Sequence, residues 1–297
     1  MNPCRSVLSR CTLSKPFRVI GLVLVLCVIA AGSRTGVTDS TRTQFTLKAI
    51  PASAVHHSWQ APHIRNKDGT SSNWSGYAVY TTPTSSGKKG KSKSAPTFSY
   101  VTGSWVVPSV VASASANTYS STWVGLDGYS DGTVEQIGIE QDWSNGSPAY
   151  YAWYEMYPKW GYEIVGFPVN PRDTISASVE YTSNGAFKLT ITNVTKNVTF
   201  STTQRSPSAQ RLSAEWIEEA PWSGGVLPLA NFGKVDFSGC SATMNGHKGP
   251  IDDSAWTFDA ITMATSDGTP KAVPSSVLTD KKGTPPTSSF SVTWKHE

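Results

Sequence analysis

The sequence predicts an all-β protein, an antiparallel two-sheet β-sandwich of the lectin or jelly-roll kind. Three observations carry that prediction. Short apolar-alternating stretches recur along the chain, separated by Gly- and Pro-rich turns. The 297 residues include 11 Trp, 11 Tyr and 10 Phe, and aromatic residues favour strands. No segment sustains a helical hydrophobic period.

The expected strands run in order from "NWSGYAVYT" at 73–81. They continue through "FSYVTGSWVVP", "TYSSTWVGLDG", "TVEQIGIEQDW", "AYYAWYEMYP", "DTISASVEY" and "AFKLTITNVT". The last are "VTFS", "LSAEWIEEAP", "PLANFGKVDFSGCSAT" and "AWTFDAITM". Alternation is plainest where Ile175, Ala177, Val179 and Tyr181 share one face, and where Phe187, Leu189 and Ile191 do. The intervening "SNG", "SDG" and "NPRD" are turn signals. Many short strands in a single domain fit a sandwich.

The folded domain is expected at 71–297. Residues 1–33 have the plan of a secretory signal peptide. Four basic residues (Arg5, Arg10, Lys15, Arg18) precede the 13-residue apolar run 19–31, and Gly32 and Ser33 follow it. The run is short beside the ~20 residues of a membrane-spanning helix, so no membrane association is expected after the signal is removed. Residues 34–70 read as a propeptide or spacer. Apart from "FTLKAI" they lack strand periodicity, and they hold His56, His57 and His63. Residues 83–96, rich in Gly and Ser with Lys88, Lys89, Lys91 and Lys93, read as a solvated loop.

The net charge of +4 equals the four basic residues of 1–33, which carry no acid. The exported part is therefore near neutral, and nucleic acid is not an expected partner. Cys4, Cys11 and Cys27 depart with the signal. Cys240 remains, a small buried filler with no internal disulfide expected.

The chemistry narrows by elimination. His247 is the one histidine of the strand-rich part apart from His296 near the end, and no H-E-x-x-H or Cys/His spacing suggests a metal site. No G-x-S-x-G accompanies a Ser-His-Asp arrangement, and no D-T-G or D-S-G motif supports paired aspartates. Carboxylates and amides among aromatics remain. In "RLSAEWIEE", Leu212, Ala214 and Trp216 face one way, and Ser213, Glu215, Ile217 and Glu219 the other. Glu218 follows Trp216 toward the apolar side. In "TVEQIGI", Gln136 and Gly138 share a face, and the glycine is expected to leave open space above the sheet. Two enzyme classes can use such residues. A glycosidase would pair Glu215 with Glu219, as in an E-x-D-x-E strand, but Ile217 occupies the middle position. A peptidase would activate water with one Glu and stabilise the oxyanion with a neutral amide. A sandwich that only binds carbohydrate or peptide through its aromatic face is the non-enzymatic alternative.

Six blocks then line up in order over 73–241. They are "SNWSGYA", "TWVGLDG", "QIG", "YYAWYEMYP", "AEWIEEAP" and "PLANFGKVDFSGCS". On these the chain resembles the glutamic peptidases, or eqolisins, of the scytalidoglutamic and aspergilloglutamic type. The resemblance implies a single-domain sandwich, secretion as a precursor, and endopeptidase action on protein or peptide substrates at acidic pH. It also implies a monomer without metal or other cofactor. It carries the family's catalytic Gln onto Gln136 and its catalytic Glu onto Glu219, with Glu215 as a same-face neighbour and Glu218 as a solvated or locally paired carboxylate. Trp123 and Asp127 fall on positions that line or support the cleft. Trp74, Gly76, Glu155 and Tyr157 fall on cleft wall or supporting positions. The chain departs from the pattern at "GIEQDW", where Glu140 replaces or shifts an Asp near the catalytic pair. It also departs at Cys240, which lacks a partner, and in the lysine-rich loop. N-x-S/T sequons occur at Asn73, Asn145, Asn193 and Asn197.

Overall fold

Among the described residues, every regular element is a β-strand. The structure is a computed structural model that describes residues 44–50, 62–67, 69–81 and 96–297. The expected signal segment, His56, His57 and the lysine-rich stretch 88–93 lie outside the described residues, as do Cys4, Cys11 and Cys27.

The first sheet runs β16 (Thr257–Ala264), β4 (Trp74–Tyr80), β13 (Ser213–Glu219), β6 (Ser121–Leu126), β7 (Val134–Ser144), β8 (Ser147–Tyr157), β9 (Gly161–Val165) and β1 (Thr46–Ile50). All these neighbours are antiparallel. The second sheet runs β12 (Val198–Arg205), β11 (Ala186–Asn193), β10 (Thr174–Ser183), β5 (Phe98–Val106), β14 (Lys234–Met244) and β19 (Thr287–Trp294). Short strands β15 (His247–Gly249), β17 (Pro270–Pro274) and β18 (Leu278–Asp280) extend it. The sheets join through β16, which pairs with β4 on one side and β17 on the other. Two short strands, β2 (Arg65–Lys67) and β3 (Thr70–Ser71), form a small hairpin, and β3 runs parallel to β16.

Two parts of the span 34–70 thus join the fold. β1 adds to β9 over five paired residues, and β2–β3 attach to β16. β9 and β19 escape the reading of strands above. β19 nonetheless alternates, with Phe290 and Val292 turned into the core.

The main core fills the space between the sheets. Val124, Ile137, Ile139, Ala214 and Trp216 enter it from the first sheet, and Val101, Trp105, Ile175, Ala177, Val179, Phe187, Leu189 and Ile191 from the second. The alternation expected for β10 and β11 is therefore the observed one. Cys240 is a free, buried thiol in this core. A second apolar cluster covers the other face of the first sheet. Trp74, Ala78, Trp123, Val134, Trp153, Ile217 and Ile261 form it, with Ile50 and Tyr157 packed against it. In consequence β6 and β13 are buried along their whole length.

Two glycines permit this double burial. At Gly76, with φ of 145°, an added Cβ would stand 2.1 Å from the Trp216 carbonyl oxygen. Its place in the sequence pattern reflects this close approach of β4 to β13. At Gly138 a Cβ would meet the Thr122 carbonyl at 2.4 Å and the Trp123 Cβ at 2.5 Å. The sequence pattern predicts open space above Gly138; that space is instead filled by Trp123 and the Thr122 carbonyl. Gly138→Ala is expected to destabilise the protein by about 1–3 kcal/mol, the range for overpacking. Gly132→Ala, whose Cβ meets nothing within 4 Å, is expected to stay within about 0.5 kcal/mol of wild type. Urea denaturation of the two variants measures the contrast.

Candidate active site

The register of the first sheet lays out the candidate residues in rows. Glu219 faces Ser121, which faces Glu140. Ile217 faces Trp123, then Gly138, then Trp153. Glu215 faces Gly125, then Gln136, then Glu155. Residues directly paired across antiparallel strands share a face. Gln136 and Glu219 therefore rise from the same face, the one carrying the second aromatic cluster.

Glu219 is fully buried. The Trp123 Nε1–H donates to its Oε2 at 2.9 Å, and the Asn73 Nδ2–H donates to its Oε1 at 3.2 Å. Gly138 lets β7 approach the Trp123 backbone and Cβ, and Gly125, whose Cβ would stand 2.9 Å from the indole ring, leaves room for that ring, which packs edge-on against Trp74 with centroids 4.9 Å apart. Gln136 is also fully buried. Its Nε2 donates to Glu155 Oε2 at 2.9 Å. That bond fixes the amide so that its nitrogen, which carries two hydrogens, has a second N–H to give.

The other expected residues divide. Trp74 and Trp123 form the apolar floor, with Tyr157 packed against it. Glu155 orients Gln136. Glu140 is buried in the row of Glu219. Asp127 is buried at the end of β6 with φ of 69°. It accepts the backbone N–H groups of Arg211 and Leu212, both at 2.7 Å, and so fixes the entry into β13. Gly76 lets β4 lie close against the Trp216 carbonyl of β13. Glu218 is not solvated. It is fully buried on the core side, accepting from the Thr122 hydroxyl and from Gln141 Nε2.

Sequence reasoning missed Asn73 as a site residue, although it lies in the first matched block. It also missed His63, whose ring stacks on Tyr129 with centroids 5.0 Å apart and lies 5.5 Å from Trp74. The sequon at Asn73 is a coincidence of spacing, since that side chain is fully buried against Glu219.

A family model described as the Peptidase A4 family matches residues 72–284. The chain belongs to the Peptidase A4 family. This is the glutamic-peptidase, or eqolisin, family that the six sequence blocks resemble. Among A4 relatives, aspergillopepsin-2 of Aspergillus niger is 32% identical over 180 residues, covering 52% of this chain and 64% of that protein. Scytalidopepsin B of Scytalidium lignicola is 34% identical over 163 residues, covering 51% of this chain and 61% of that protein. The match thus spans less than two-thirds of either relative. The solved structure of scytalido-glutamic peptidase with a transition state analog inhibitor is 25% identical, with a TM-score of 0.57. The likeness covers 75% of this chain and 98% of that one. The crystal structure of aspergilloglutamic peptidase from Aspergillus niger is 27% identical, with a TM-score of 0.50, and the likeness covers 60% and 99% of the two chains. The antiparallel two-sheet fold is thus that of A4 peptidases.

This A4 sheet holds further buried carboxyls. Burial raises Glu135 to about 9, with the charge of Asp127 adding to it. Burial and the neighbouring Asp131 raise Asp127 to about 7 against the pull of its two backbone donors. Glu215 is pushed well above the usual range, chiefly by burial; the charges that act on it are Asp127, Asp131 and Glu135. Burial raises Glu218 to about 7, offset in part by the Thr122 and Gln141 bonds. Burial and Glu140 raise Asp142. His63 moves the other way, to about 4, because burial disfavours its charged form.

These shifts set the pH dependence of stability. A carboxyl whose pKa is higher folded than unfolded holds its proton more tightly in the native state. Its contribution is complete below the unfolded value near ~4 and is lost as pH rises through the folded value. Asp127, Glu218 and Glu135 thus weaken the fold between about pH 4 and 9. His63 has the opposite sign and weakens it as pH falls from ~6.5 toward 4. The urea midpoint is expected to be highest at mildly acidic pH and to fall toward pH 8. Glu218→Gln is expected to remove a few kcal/mol of that fall, at ~1.4 kcal/mol per pH unit of raised pKa. Equal slopes in both proteins would contradict this.

Proposed function

We propose that the chain is a secreted glutamic endopeptidase that hydrolyses protein or peptide substrates at acidic pH, acting as a monomer without a metal or organic cofactor. The observation that carries this reading is a carboxyl and a neutral amide, both oriented, on one face. Glu219 is held at both oxygens by N–H donors, and Gln136 is held by Glu155 with an N–H to spare. Membership of the A4 family supports the reaction class. So does the likeness to a glutamic peptidase solved with a transition-state analogue.

In this mechanism ionised Glu219 takes a proton from a water, and the water oxygen bonds to the scissile carbonyl carbon. The carbonyl oxygen becomes an oxyanion that accepts the second N–H of Gln136. Such a donor is worth about 3–4 kcal/mol of barrier. Glu219 then gives its proton to the amine nitrogen as the C–N bond breaks, and it ends ionised. No covalent intermediate forms. Trp123 and Asn73, being neutral, orient the carboxylate without neutralising it. The sugar-cleaving pairing of Glu215 with Glu219 finds no support. Glu215 is fully buried in the row of Gln136, not that of Glu219, and burial, with the charges of Asp127, Asp131 and Glu135, pushes its carboxyl up.

Casein or haemoglobin cleavage at pH 3–4, with a chelator and a pepsin-type inhibitor present, tests the assignment. Glu219→Gln is expected to reduce cleavage to background. Gln136→Ala is expected to lower kcat by roughly 10²–10³-fold with circular dichroism unchanged. Activity near wild type in either variant would overturn it.

A further inference from the structure

The Asn73 side-chain amide has two donors and two acceptor sites. Its Nδ2 donates to Glu219 Oε1 at 3.2 Å and to the Pro62 carbonyl at 3.4 Å. Its Oδ1 accepts from the Ile64 backbone N–H at 2.9 Å and lies 2.9 Å from the Ser71 hydroxyl, whose one proton it shares with the Ile64 carbonyl at 3.1 Å. A backbone N–H faces the oxygen and two acceptors face the nitrogen, so the amide has one satisfactory orientation. That orientation aims an N–H at Glu219. The residues that impose it come largely from the stretch ahead of β3. This stretch is itself anchored: the His63 N–H donates to the Gly128 carbonyl at 3.0 Å, the Ser72 N–H donates to the Ile64 carbonyl at 2.9 Å, and the His63 ring stacks on Tyr129.

We propose that Asn73 is the positioning residue for Glu219 and that residues 62–64, by clamping the Asn73 amide, belong to the working active site. The inference rests on Glu219 as the base. It extends the functional unit upstream of residue 72, where the family match begins. Residues 62–64 are then a retained part of the enzyme, not an occupant of the site to be cleared before catalysis.

The groups near the Glu219 carboxylate include the Trp123 indole from β6 and the Asn73 amide ahead of β4, and Glu140 on β7 lies in the same row. Loss of the Asn73 donor removes a hydrogen bond that favours the ionised form of Glu219. It also loosens the carboxylate that must meet water. A hydrogen bond to a charged group corresponds to roughly 10- to 100-fold in rate.

The test uses the full chain with four changes made singly: Asn73→Ala, Ser71→Ala, Ile64→Pro and Glu219→Gln. Ile64→Pro deletes one donor to Asn73 and leaves the Asn73 side chain in place, so it remains informative if Asn73→Ala folds poorly. Steady-state kinetics against pH on a peptide substrate are expected to show kcat lowered roughly 10- to 100-fold in Asn73→Ala. The loss is expected to be smaller in Ile64→Pro and Ser71→Ala, with KM changed less than about two-fold in all three. The acidic limb of kcat/KM is expected to move to higher pH by roughly one unit in Asn73→Ala, a change that a lower folded fraction does not produce. N-terminal sequencing of the active species is expected to begin at or before Pro62. Raised or unchanged activity of folded Ile64→Pro, or a fully active species beginning after Ile64, would overturn the proposal. Activity surviving in Glu219→Gln would remove the base assignment beneath it.

Discussion

The structure depends on a sheet kept dry on both faces. In most antiparallel sheets one face packs on the core and the other meets water. Here the main core covers one face of β4, β13, β6 and β7, while Trp74, Trp123 and Trp153 cover the other. A carboxyl on such a sheet cannot rely on water. It must find donors in the protein or keep its proton, because a buried unpaired charge is costly. The three glutamates of β13 show the range of outcomes. Glu219 has two neutral N–H donors, and Glu218 has a hydroxyl and an amide. Among the described residues only the Ser213 hydroxyl acts on Glu215 as a donor, short of a well-formed hydrogen bond, and Glu215 stands among other acids.

Trp123 joins structure to chemistry most directly. Its ring supplies much of the apolar cover, and its indole N–H is the polar exception that a buried Trp needs to place. That N–H goes to Glu219. The same residue therefore excludes water from the sheet and replaces water at the carboxylate. Gly138 beneath its Cβ and Gly125 beneath its ring leave the space for this geometry. Mutations at 123, 138 and 219 should accordingly be non-additive, as expected for side chains sharing one contact network.

Much of this was legible in the sequence because it is periodic. Alternation in β10, β11 and β13 reports which side chains enter the core, since a strand turns successive residues to opposite faces. The same parity placed Glu215 and Glu219 together and Glu218 apart. Parity does not report whether a face is wet. The burial of Glu215 and Glu219 depends on tryptophans from three strands, β4, β6 and β8, and that of Glu218 on the main core behind the sheet. The filled space over Gly138 depends on a neighbour in β6 rather than on the local "QIG". Choosing Glu219 over Glu215 required the pattern of the family, because both have the same parity and composition around them. Asn73 was hidden for a different reason. Its role comes from contacts with residues 62–64 and with a strand 146 positions away, which no local spacing encodes. The short strands β9 and β17 carry too few residues for a period to show.

The pairing of β1 with β9 has a consequence for handling the protein. Without residues 46–50, β9 would present a row of unpaired backbone N–H and C=O groups at the rim of the first sheet. Exposed rims of that kind recruit other chains into intermolecular sheets. β1 moves the rim outward and places Lys48 at its centre, in contact with Glu163. A charged side chain on an outermost strand discourages a further strand from docking. Leu47 and Val165 remain exposed there. Five residues at the start of the described chain thus act as a guard against self-association, and preparations lacking them face a colloidal problem before any enzymatic one.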